Sequence, residues 1–207
     1  MMATYHDYVI KDGKFIGEFE KMYQVCENPW NQCSVDYIEN SFSRTTTILN
    51  LNRLGIKSVV EFGCGLGFYT NMICRHAGVT VKGVDISKTA IERARKTFPE
   101  LEFAVDSATN ISRYGNFEAV LFAEITWYIL NDIDEIFRLM LQHFKGKYFF
   151  HNLVFYKGQQ RYGTEFFTSL KEFIEYVPFE LVSYAEGTTA ESDTIETSTV
   201  FRIVKKR

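Results

Sequence analysis

The 207-residue sequence predicts an α/β fold built on a doubly wound, mostly parallel sheet. Short β-like runs alternate with helical runs from Lys57 onward, which is typical of a parallel sheet with crossover helices. A glycine-rich turn joins the first of these runs to its helix. Near the C-terminus, two β-like runs are separated only by a polar stretch, and this predicts an antiparallel finish.

The individual elements follow from hydrophobic periodicity and capping signals. Strands are predicted at 58–62, 79–84, 101–105, 118–122 and 147–155, with the closing pair at 179–185 and 195–204. Helices are predicted at 68–76, 133–144 and 168–176, and another begins at the N-cap Ser87 and ends at Phe98, before Pro99. The run 147–155 is almost continuously apolar or aromatic, as expected for a strand covered on both faces.

We predict a single domain over residues 1–207, with an N-terminal helical cover at 1–54 and an α/β core at 55–207. Two helices are expected in the cover, at about 17–26 and 34–54. Aromatic residues make up 16% of the chain and crowd its start, which favours an apolar cover over the site. Those residues are Tyr5, Tyr8, Phe15, Phe19, Tyr23 and Trp30.

Composition argues against several functional classes. A net charge of −3 disfavours a nucleic-acid partner, and no apolar run approaches the roughly 20 residues of a membrane helix. No signal-peptide pattern is seen, so a cytoplasmic location is expected. The four cysteines form no Cys-x-x-Cys pair and the four histidines show no zinc-like spacing, so no metal is predicted. The sequence leaves the oligomeric state open.

The glycine-rich turn carries the functional signal. Gly63, Gly65 and Gly67 stand between the first strand and its helix, with Cys64 inside the turn and Glu61 before it. In open α/β sheets ligands bind at the carboxyl ends of the strands, where the strand order reverses. Glycines there permit a tight turn and a close approach of bare backbone, so these residues are candidates for ligand binding.

The glycine spacing discriminates between ligands. Dinucleotide folds tend to use Gly-x-Gly-x-x-Gly, whereas this turn reads Gly-x-Gly-x-Gly after an acid. An acid at the mouth repels a pyrophosphate and suits a cation such as S-adenosylmethionine, which has sulfonium and ammonium groups and no phosphate. The alternatives are an NAD-dependent oxidoreductase and a non-catalytic nucleotide-binding protein.

Acids follow the next two strands. Asp85 ends the second strand, about 20 residues after the turn, where an acid accepts hydrogen bonds from both ribose hydroxyls. Asp106 follows the third strand and is placed to accept from an adenine amino group. Their neighbours Ile86 and Ser107 are candidates for the same binding site. The alternatives are that Asp85 only caps a helix and that Asp106 is a surface turn residue.

Glu61-Phe62-Gly63-Cys64-Gly65-Leu66-Gly67, followed by Asp85 and Asp106, resembles the pattern of class I S-adenosylmethionine-dependent methyltransferases. This resemblance implies a Rossmann-like sheet of seven strands with a reversed last strand. A narrower resemblance, to small bacterial nodulation-type N-methyltransferases, rests on the segments 28–30 and 124–130. The segment 11–20 also resembles methyltransferases of bacterial surface-polysaccharide modification, including enzymes that methylate sugars or phosphoramidate groups.

Methyl transfer needs alignment of donor and acceptor, together with a group that accepts a proton where the acceptor requires it. His151, late in the fifth strand, is the candidate general base, against the alternative of a buried histidine. Glu124 is a candidate for orienting the cofactor or the acceptor, and Tyr128, with Trp127, for walling the acceptor site. Trp30 is a candidate cofactor contact. For all three aromatics the alternative is core packing.

The expected partner is a small-molecule acceptor methylated on an O or N atom, such as a sugar, a nucleotide-linked compound or a phosphoramidate. Lys157 and Arg161, in a loop after the fifth strand, could hold an acceptor phosphate or carboxylate, although a solvated loop is the competing interpretation.

Overall fold

The structure is a computed structural model that describes residues 6–11, 14–31, 33 and 41–206. Nine strands are numbered in chain order within these ranges. They are β1 (Ile10–Lys11), β2 (Lys14–Phe15), β3 (Ser58–Phe62), β4 (Thr80–Asp85), β5 (Glu102–Val105), β6 (Ala119–Ala123), β7 (Tyr148–Tyr156), β8 (Phe179–Gly187) and β9 (Thr194–Lys205). The first two form a small hairpin, which was not predicted, and the other seven form one sheet.

The strand order of the large sheet is β5-β4-β3-β6-β7-β9-β8. Neighbours from β5 to β7 pair in parallel, whereas β9 pairs antiparallel with both β7 and β8. This arrangement confirms the predicted seven-stranded, Rossmann-like sheet with an antiparallel last strand. The strand order reverses between β3 and β6, so a ligand site is expected at their carboxyl ends.

Seven α-helices accompany the strands within the described ranges. They are α1 (His6–Val9), α2 (Phe19–Val25), α3 (Phe42–Arg53), α4 (Phe68–Ala77), α5 (Lys88–Thr97), α6 (Ile133–His143) and α7 (Leu170–Tyr176). Ser87 caps α5 as predicted, since its Oγ accepts from the Ala90 amide at 3.1 Å. The predicted start of the third helix, at Ser34, lies outside the described residues. Short 3₁₀ turns at Thr126–Tyr128 and Leu130–Asp132 lead into α6 and were not predicted.

Helices cover both faces of the sheet. Successive residues of a strand point to opposite faces, so neighbouring residues pack in different clusters. Val59 packs in a cluster with residues of α3 and α4, whereas Val60 packs in a cluster with residues of α6 and α7. Phenylalanines dominate the second cluster, where Phe122, Phe137 and Phe149 are fully or almost fully buried. The apolar strand runs of the sequence therefore reflect burial on two faces.

The N-terminal segment packs against the core near the carboxyl ends of β3 and β4. Met22 and Tyr23 of α2 share a buried cluster with Leu66 and Ala90. Glu20 of α2 accepts hydrogen bonds from Ser87 Oγ at 2.7 Å, Thr89 Oγ1 at 2.7 Å and the Thr89 amide at 3.1 Å. A cationic side chain on α5 adds a second tie, since Arg93 donates to the Cys26 carbonyl at 2.9 Å.

No helix in the described part of the chain combines the length and the apolar character required to cross a bilayer.

Candidate active site

A cavity of about 1000 Å³ lies at the carboxyl ends of the parallel strands. Its floor comes from the ends of β3 to β7 and from the start of antiparallel β9, and its roof comes from the N-terminal segment. This volume is at the upper end of the roughly 300–1,000 Å³ of small-molecule sites, so it can hold a cofactor and a small acceptor side by side. The segments that line the cavity are far apart in the sequence, and the order of the strands in the sheet brings them together.

The glycine turn has the left-handed backbone that glycine favours, but packing accounts for two of its glycines. Gly63 has φ 74°, and an added Cβ would lie 2.0 Å from Ile125 Cγ2. Gly67 has φ 80°, precedes α4, and would place a Cβ 2.7 Å from the Phe103 ring. Of these two, only Gly63 lines the cavity. The missing side chains therefore make room for Ile125 and Phe103, and the ligand approach expected from the sequence stays a prediction at Gly63.

Asp85 links two turns and also faces the cavity. Its Oδ2 accepts from the Gly65 amide at 2.9 Å, and its Oδ1 accepts from the Ser87 amide at 2.8 Å. Burial raises the pKa of this carboxyl group, against the opposing effect of the two backbone amides. Asp85 and its exposed neighbour Ile86 line the cavity, so the structural role and the predicted binding role are compatible. Gly65 does not line it and acts through Asp85.

Asp106 is held by its own loop. Its carboxylate accepts from Asn110 Nδ2 at 2.7 Å, from the Ser107 amide at 2.9 Å, and from Tyr114 Oη and Arg113 at 3.1 Å. Partial burial alone would raise the pKa of Asp106, but these hydrogen bonds outweigh it and lower the pKa. Asp106 and Ser107 both line the cavity, with the carboxylate oriented before any ligand arrives.

Glu61 is not at the mouth of the site, which corrects the sequence-based placement of this acid. It is 1% exposed, does not line the cavity, and accepts from Thr70 Oγ1 at 2.6 Å. Burial raises its pKa to about 7. Cys64 is also buried away from the cavity, and burial raises the pKa of its thiol. Both side chains are therefore buried in the core beside the glycine turn, on the side away from the cavity.

Glu124 follows β6 and lines the cavity. Its backbone has φ 63°, which is unusual for a residue with a side chain, and its amide donates to the Asn152 carbonyl at 2.9 Å. Glu124 Oε1 lies 3.4 Å from the guanidinium of Arg44, a residue of α3 that also lines the cavity. The pair places an acid and a base together where β3 and β6 meet.

Aromatic side chains form the upper wall. The Tyr128 ring centroid lies 5.1 Å from those of both Phe15 and Phe19 and 6.2 Å from that of Trp30. All four residues line the cavity, as does Trp127. Tyr128 and Trp30 are therefore placed where their predicted roles require them. Both rings also pack in the buried cluster that joins the N-terminal segment to the core.

Charge is distributed unevenly over this lining. The described residues around the cavity include five acids and one base: Asp85, Asp106, Glu124, Asp132, Glu196 and Arg44. A cationic ligand without phosphate fits a lining that is mostly carboxylate, whereas a pyrophosphate does not. Within the described ranges, no group of His, Cys, Asp and Glu side chains is arranged to hold a metal ion.

Comparison with known families decides the class. Residues 59–147, which include the glycine turn, Asp85, Asp106 and Glu124, match the family model described as a methyltransferase domain. This segment of the chain is therefore similar to a methyltransferase domain. This match confirms the predicted resemblance to class I methyltransferases, the predicted enzyme class, and S-adenosylmethionine as the cofactor. No curated protein matches the chain.

Solved structures with the same fold extend beyond the matched segment. The N-methyltransferase NodS of Bradyrhizobium japonicum WM9, solved with S-adenosyl-L-homocysteine, superimposes with a TM-score of 0.65 at 15% identity, over 89% of this chain and 96% of that one. The PH0226 protein of Pyrococcus horikoshii OT3 gives 0.66 at 18% identity, over 91% and 100%. TehB of Haemophilus influenzae gives 0.61 at 17%, over 83% and 66%. At these identities the likeness extends to the fold alone.

The geometry of the methyltransferase does not support His151 as a general base. His151 is fully buried and does not line the cavity. Its Nε2 lies 2.6 Å from Thr126 Oγ1, and its ring stacks on Phe173 at 4.2 Å between centroids. Burial lowers its pKa to about 3. The His151 side chain lies on the face of the sheet that α7 covers, whereas the side chain of the next residue, Asn152, contacts α3 on the other face. The sequence alone does not indicate which of these residues reaches the cavity.

Three charged lining residues, Arg44, Asp132 and Glu196, were not predicted from the sequence. Arg44 comes from α3, and Glu196 comes from β9, which begins at the cavity because it runs against its neighbours. Glu196 Oε2 accepts from Ser41 Oγ at 2.5 Å, Ser43 Oγ at 2.9 Å and the Ser43 amide at 3.1 Å, and so ties β9 to the start of α3. A polar residue early in a predicted strand was the available signal for Glu196.

The predicted anion-binding loop of the methyltransferase lies outside the main cavity. Lys157 donates to the Thr189 carbonyl at 2.8 Å, and Arg161 lies 3.5 Å from Asp193 and over the Tyr156 ring. The two basic side chains border a separate depression that shares only Tyr156 with the cavity. These contacts fit the solvated-loop interpretation.

Proposed function

We propose that the protein transfers a methyl group from S-adenosylmethionine to a nitrogen atom of a small amine, amino sugars included. The observation that carries this proposal is the acid-rich lining, which has five carboxyl groups and one arginine among the described residues. Two of the carboxyl groups are paired with arginines, Glu124 with Arg44 and Asp106 with Arg113, which is not itself in the lining. The cofactor brings two cationic groups and one carboxylate, so it neutralises only part of this charge. An amine acceptor, protonated on arrival, is therefore favoured over an anionic one.

The strand ends supply one residue for each part of the cofactor in this proposal. Asp106, after β5, accepts from the adenine amino group, and Asp85, at the end of β4, accepts from the ribose hydroxyls. Ile86 and Ser107 lie beside these two acids in the same lining. Glu124, after β6, faces the methionine end. These roles follow the sequence-based predictions, and the common cavity supports them.

Bound S-adenosylmethionine supplies a methyl group already activated by its sulfonium. The protein therefore has to align the acceptor, exclude water and take up the acceptor's proton. Trp30, Tyr128 and their neighbours cover the cavity and keep water from it. With His151 enclosed, we assign proton uptake to Glu196, a carboxylate that lines the cavity near the start of β9.

The acidic lining also helps to choose among the acceptors predicted from the sequence, namely a sugar, a nucleotide-linked compound and a phosphoramidate. Nucleotide-linked and phosphoramidate acceptors carry negative charge, which the acidic cavity disfavours. A sugar with a free amino group agrees with the resemblance to surface-polysaccharide methyltransferases, and its positive charge suits the acidic lining of the cavity. NodS, which shares the fold, is described as an N-methyltransferase. A cytoplasmic site of action accompanies this proposal.

Calorimetry and a turnover panel test the proposal. Titration with S-adenosylmethionine, S-adenosylhomocysteine and NAD should give binding of the first two only. Turnover should then be compared on matched acceptors that share one skeleton, namely an amino sugar, its parent sugar and the sugar phosphate. Methylation of the amino sugar is expected. If only the parent sugar is methylated, the acceptor atom is a hydroxyl oxygen and the proposed amine acceptor is wrong. If the protein binds NAD and neither of the other two ligands, the methyltransferase assignment is wrong.

Replacement of Asp85 tests the cofactor orientation. Asp85→Asn should raise the dissociation constant of S-adenosylhomocysteine about 10- to 100-fold, because two charge-assisted hydrogen bonds are worth ~1–3 kcal/mol. Glu102→Gln is the matched control, since Glu102 is the first residue of β5, at the amino end of the strand and outside the cavity lining, and pairs with Lys82. Calorimetry measures both variants. Equal affinities would remove Asp85 from the cofactor site.

A further inference from the structure

One end of the cavity is built by the last residues of β7 and the first residues of β9. In this antiparallel pair Val154 lies opposite Glu196, and Tyr156 lies opposite Thr194. All four residues line the cavity. They alternate along their strands, so their side chains share one face of the sheet. We call these four residues the strand extension.

The strand extension lies on the face that α3 covers further along the same strands. Asn152 of β7 donates to Thr47 Oγ1 of α3 at 3.0 Å, and that oxygen lies 3.3 Å from Ser198 Oγ of β9. The N-cap of α3, Ser41, donates to Glu196. The helix therefore begins level with Glu196, and the rest of the strand extension faces the cavity.

Glu196 has one carboxylate oxygen left for a ligand. Its Oε2 accepts all three hydrogen bonds from Ser41 and Ser43, which fix the carboxylate before a ligand arrives. Among the residues that the structure describes, none donates a hydrogen bond to Oε1. Glu196 is also the only acid of the strand extension. A cationic group can therefore pair with Oε1 without breaking an existing contact.

Aromatic rings stand at the same end of the cavity. Phe15 lies between two other lining residues, with ring centroids 5.1 Å from Tyr128 and 5.2 Å from Tyr162. We call these three the ring group. Gln160, which is 5% exposed, accepts from the Tyr156 amide at 3.1 Å and donates to the Tyr162 carbonyl at 3.1 Å. This buried amide ties the ring group to the end of the strand extension.

A single carboxylate beside aromatic rings suits an ammonium better as the ammonium gains methyl groups. A primary ammonium has three N–H donors, which need three partners. Each methyl group removes one donor and adds apolar surface that shares the positive charge. Aromatic faces attract such cations, as in sites for quaternary ammonium ligands. The product of one methyl transfer is therefore bound at least as well as the amine from which it came.

We propose that the strand extension and the ring group form the acceptor site, and that this site retains methylated amines so that one nitrogen is methylated more than once. The inference rests on the proposed function and adds the number of transfers. In each transfer the ammonium gives one proton to Glu196, which later releases it to water. The freed nitrogen lone pair forms the new N–C bond as the C–S bond of the methyl donor breaks, and the electrons of that bond stay on sulfur.

Binding of a graded amine series tests the site without turnover. The protein saturated with S-adenosylhomocysteine is titrated with ethanolamine, N,N-dimethylethanolamine, choline and 3,3-dimethylbutan-1-ol, the uncharged analogue of choline, and binding is followed by NMR. Choline should bind at least about 5-fold more tightly than ethanolamine and than the uncharged analogue. Tighter binding of ethanolamine, equal binding of choline and its analogue, or no binding of choline overturns the inference.

Ring variants test the source of this preference. Tyr162→Leu should weaken choline about 5- to 20-fold, the contribution of one ring to a desolvated cation, and ethanolamine less than about 3-fold. Tyr162→Phe keeps the ring and should bind choline as the wild-type protein does. Tyr184→Leu is the matched control, since Tyr184 is 62% exposed on β8 and outside the lining. Phe15→Leu repeats the test if Tyr162→Leu does not fold. Equal weakening of both amines by the ring variants contradicts the inference.

Product analysis separates this inference from the proposed function. With the amino sugar of the turnover panel and an excess of S-adenosylmethionine, mass spectrometry should show that the dimethylated amine accumulates. Tyr162→Leu should shift the products toward the monomethylated amine. Monomethylated product alone from the wild-type protein would overturn repeated transfer and leave the proposed N-methylation intact. Absence of any methylated amine would overturn the proposed function, and the inference with it.

Discussion

Glu124 and Asn31 have positive φ without being glycine, and among the described residues they alone do so. Such backbone costs of the order of 1–3 kcal/mol and persists where the surrounding structure holds it. At Glu124 the amide is fixed by the Asn152 carbonyl on the neighbouring strand, and the side chain is directed at Arg44 across the cavity. This strain therefore coincides with a residue that lines the cavity and that we place at the methionine end of the cofactor.

The buried pair of His151 and Thr126 leads to a prediction about stability rather than turnover. The pKa of His151 is lowered by burial from its usual 6.5 to about 3, so the folded state keeps the ring neutral while the unfolded state takes up a proton below about pH 6.5. Stability should be complete above that pH and fall as the pH drops toward 3, by at most about 1.4 kcal/mol per pH unit.

The double variant His151→Phe with Thr126→Val should lack this acid-dependent loss, because it replaces both polar partners with apolar groups. Urea unfolding between pH 7.5 and 4.5 measures the slope. His143→Gln serves as the control, since His143 is exposed at the end of α6. An unchanged slope in the double variant would refute the assignment, and a loss of turnover at constant stability would return His151 to the active site.

At the scale of elements, α2 is attached to the core through a carboxylate at the N-terminus of α5. Hydrogen bonds from the Ser87 and Thr89 hydroxyls and from the Thr89 amide lower the pKa of Glu20 to about 2. The lowered pKa means that this interaction stabilises the fold above about pH 4.5, the usual value, and that its contribution is lost as the pH falls from there toward 2.

Glu20→Gln should lower the free energy of unfolding near pH 7 by about 1 kcal/mol, as for loss of a helix cap. The difference from the wild-type protein should shrink below pH 4.5. Glu18→Gln provides the control, because the Glu18 side chain pairs with Lys21 of the same helical segment. Urea unfolding measures both, and equal effects of the two variants would show that the contact with α5 carries no stability.

The strands and helices could be predicted from the sequence because their runs are buried on two faces or capped by recognisable residues. β3 was predicted at its observed bounds, and β7 was displaced by one residue. The hairpin β1–β2 was missed because its strands have two residues each, too few for any periodicity. Arg44 and Glu196 were missed because their part in the cavity depends on how α3 and the antiparallel β9 meet the parallel strands, which no local pattern encodes.

At the scale of the whole molecule, the cavity is closed jointly by the core and the N-terminal segment. The two tryptophans of the sequence report on these two parts, since Trp30 belongs to the segment, Trp127 follows β6, and both line the cavity. Addition of S-adenosylhomocysteine should change the fluorescence of both Trp30→Phe and Trp127→Phe. A response that persists in Trp30→Phe and is absent from Trp127→Phe would show that the segment does not meet the ligand.

The placement of β9 has a consequence for how the chain matures during synthesis. Strand β8 leaves the ribosome before β9, yet it can join the sheet only through β9, which pairs with it on one side and with β7 on the other. Until β9 emerges, β7 presents an open edge and the cavity lacks Glu196. Completion of the sheet and completion of the site are therefore one late event, and a nascent chain should depend on chaperones until that point.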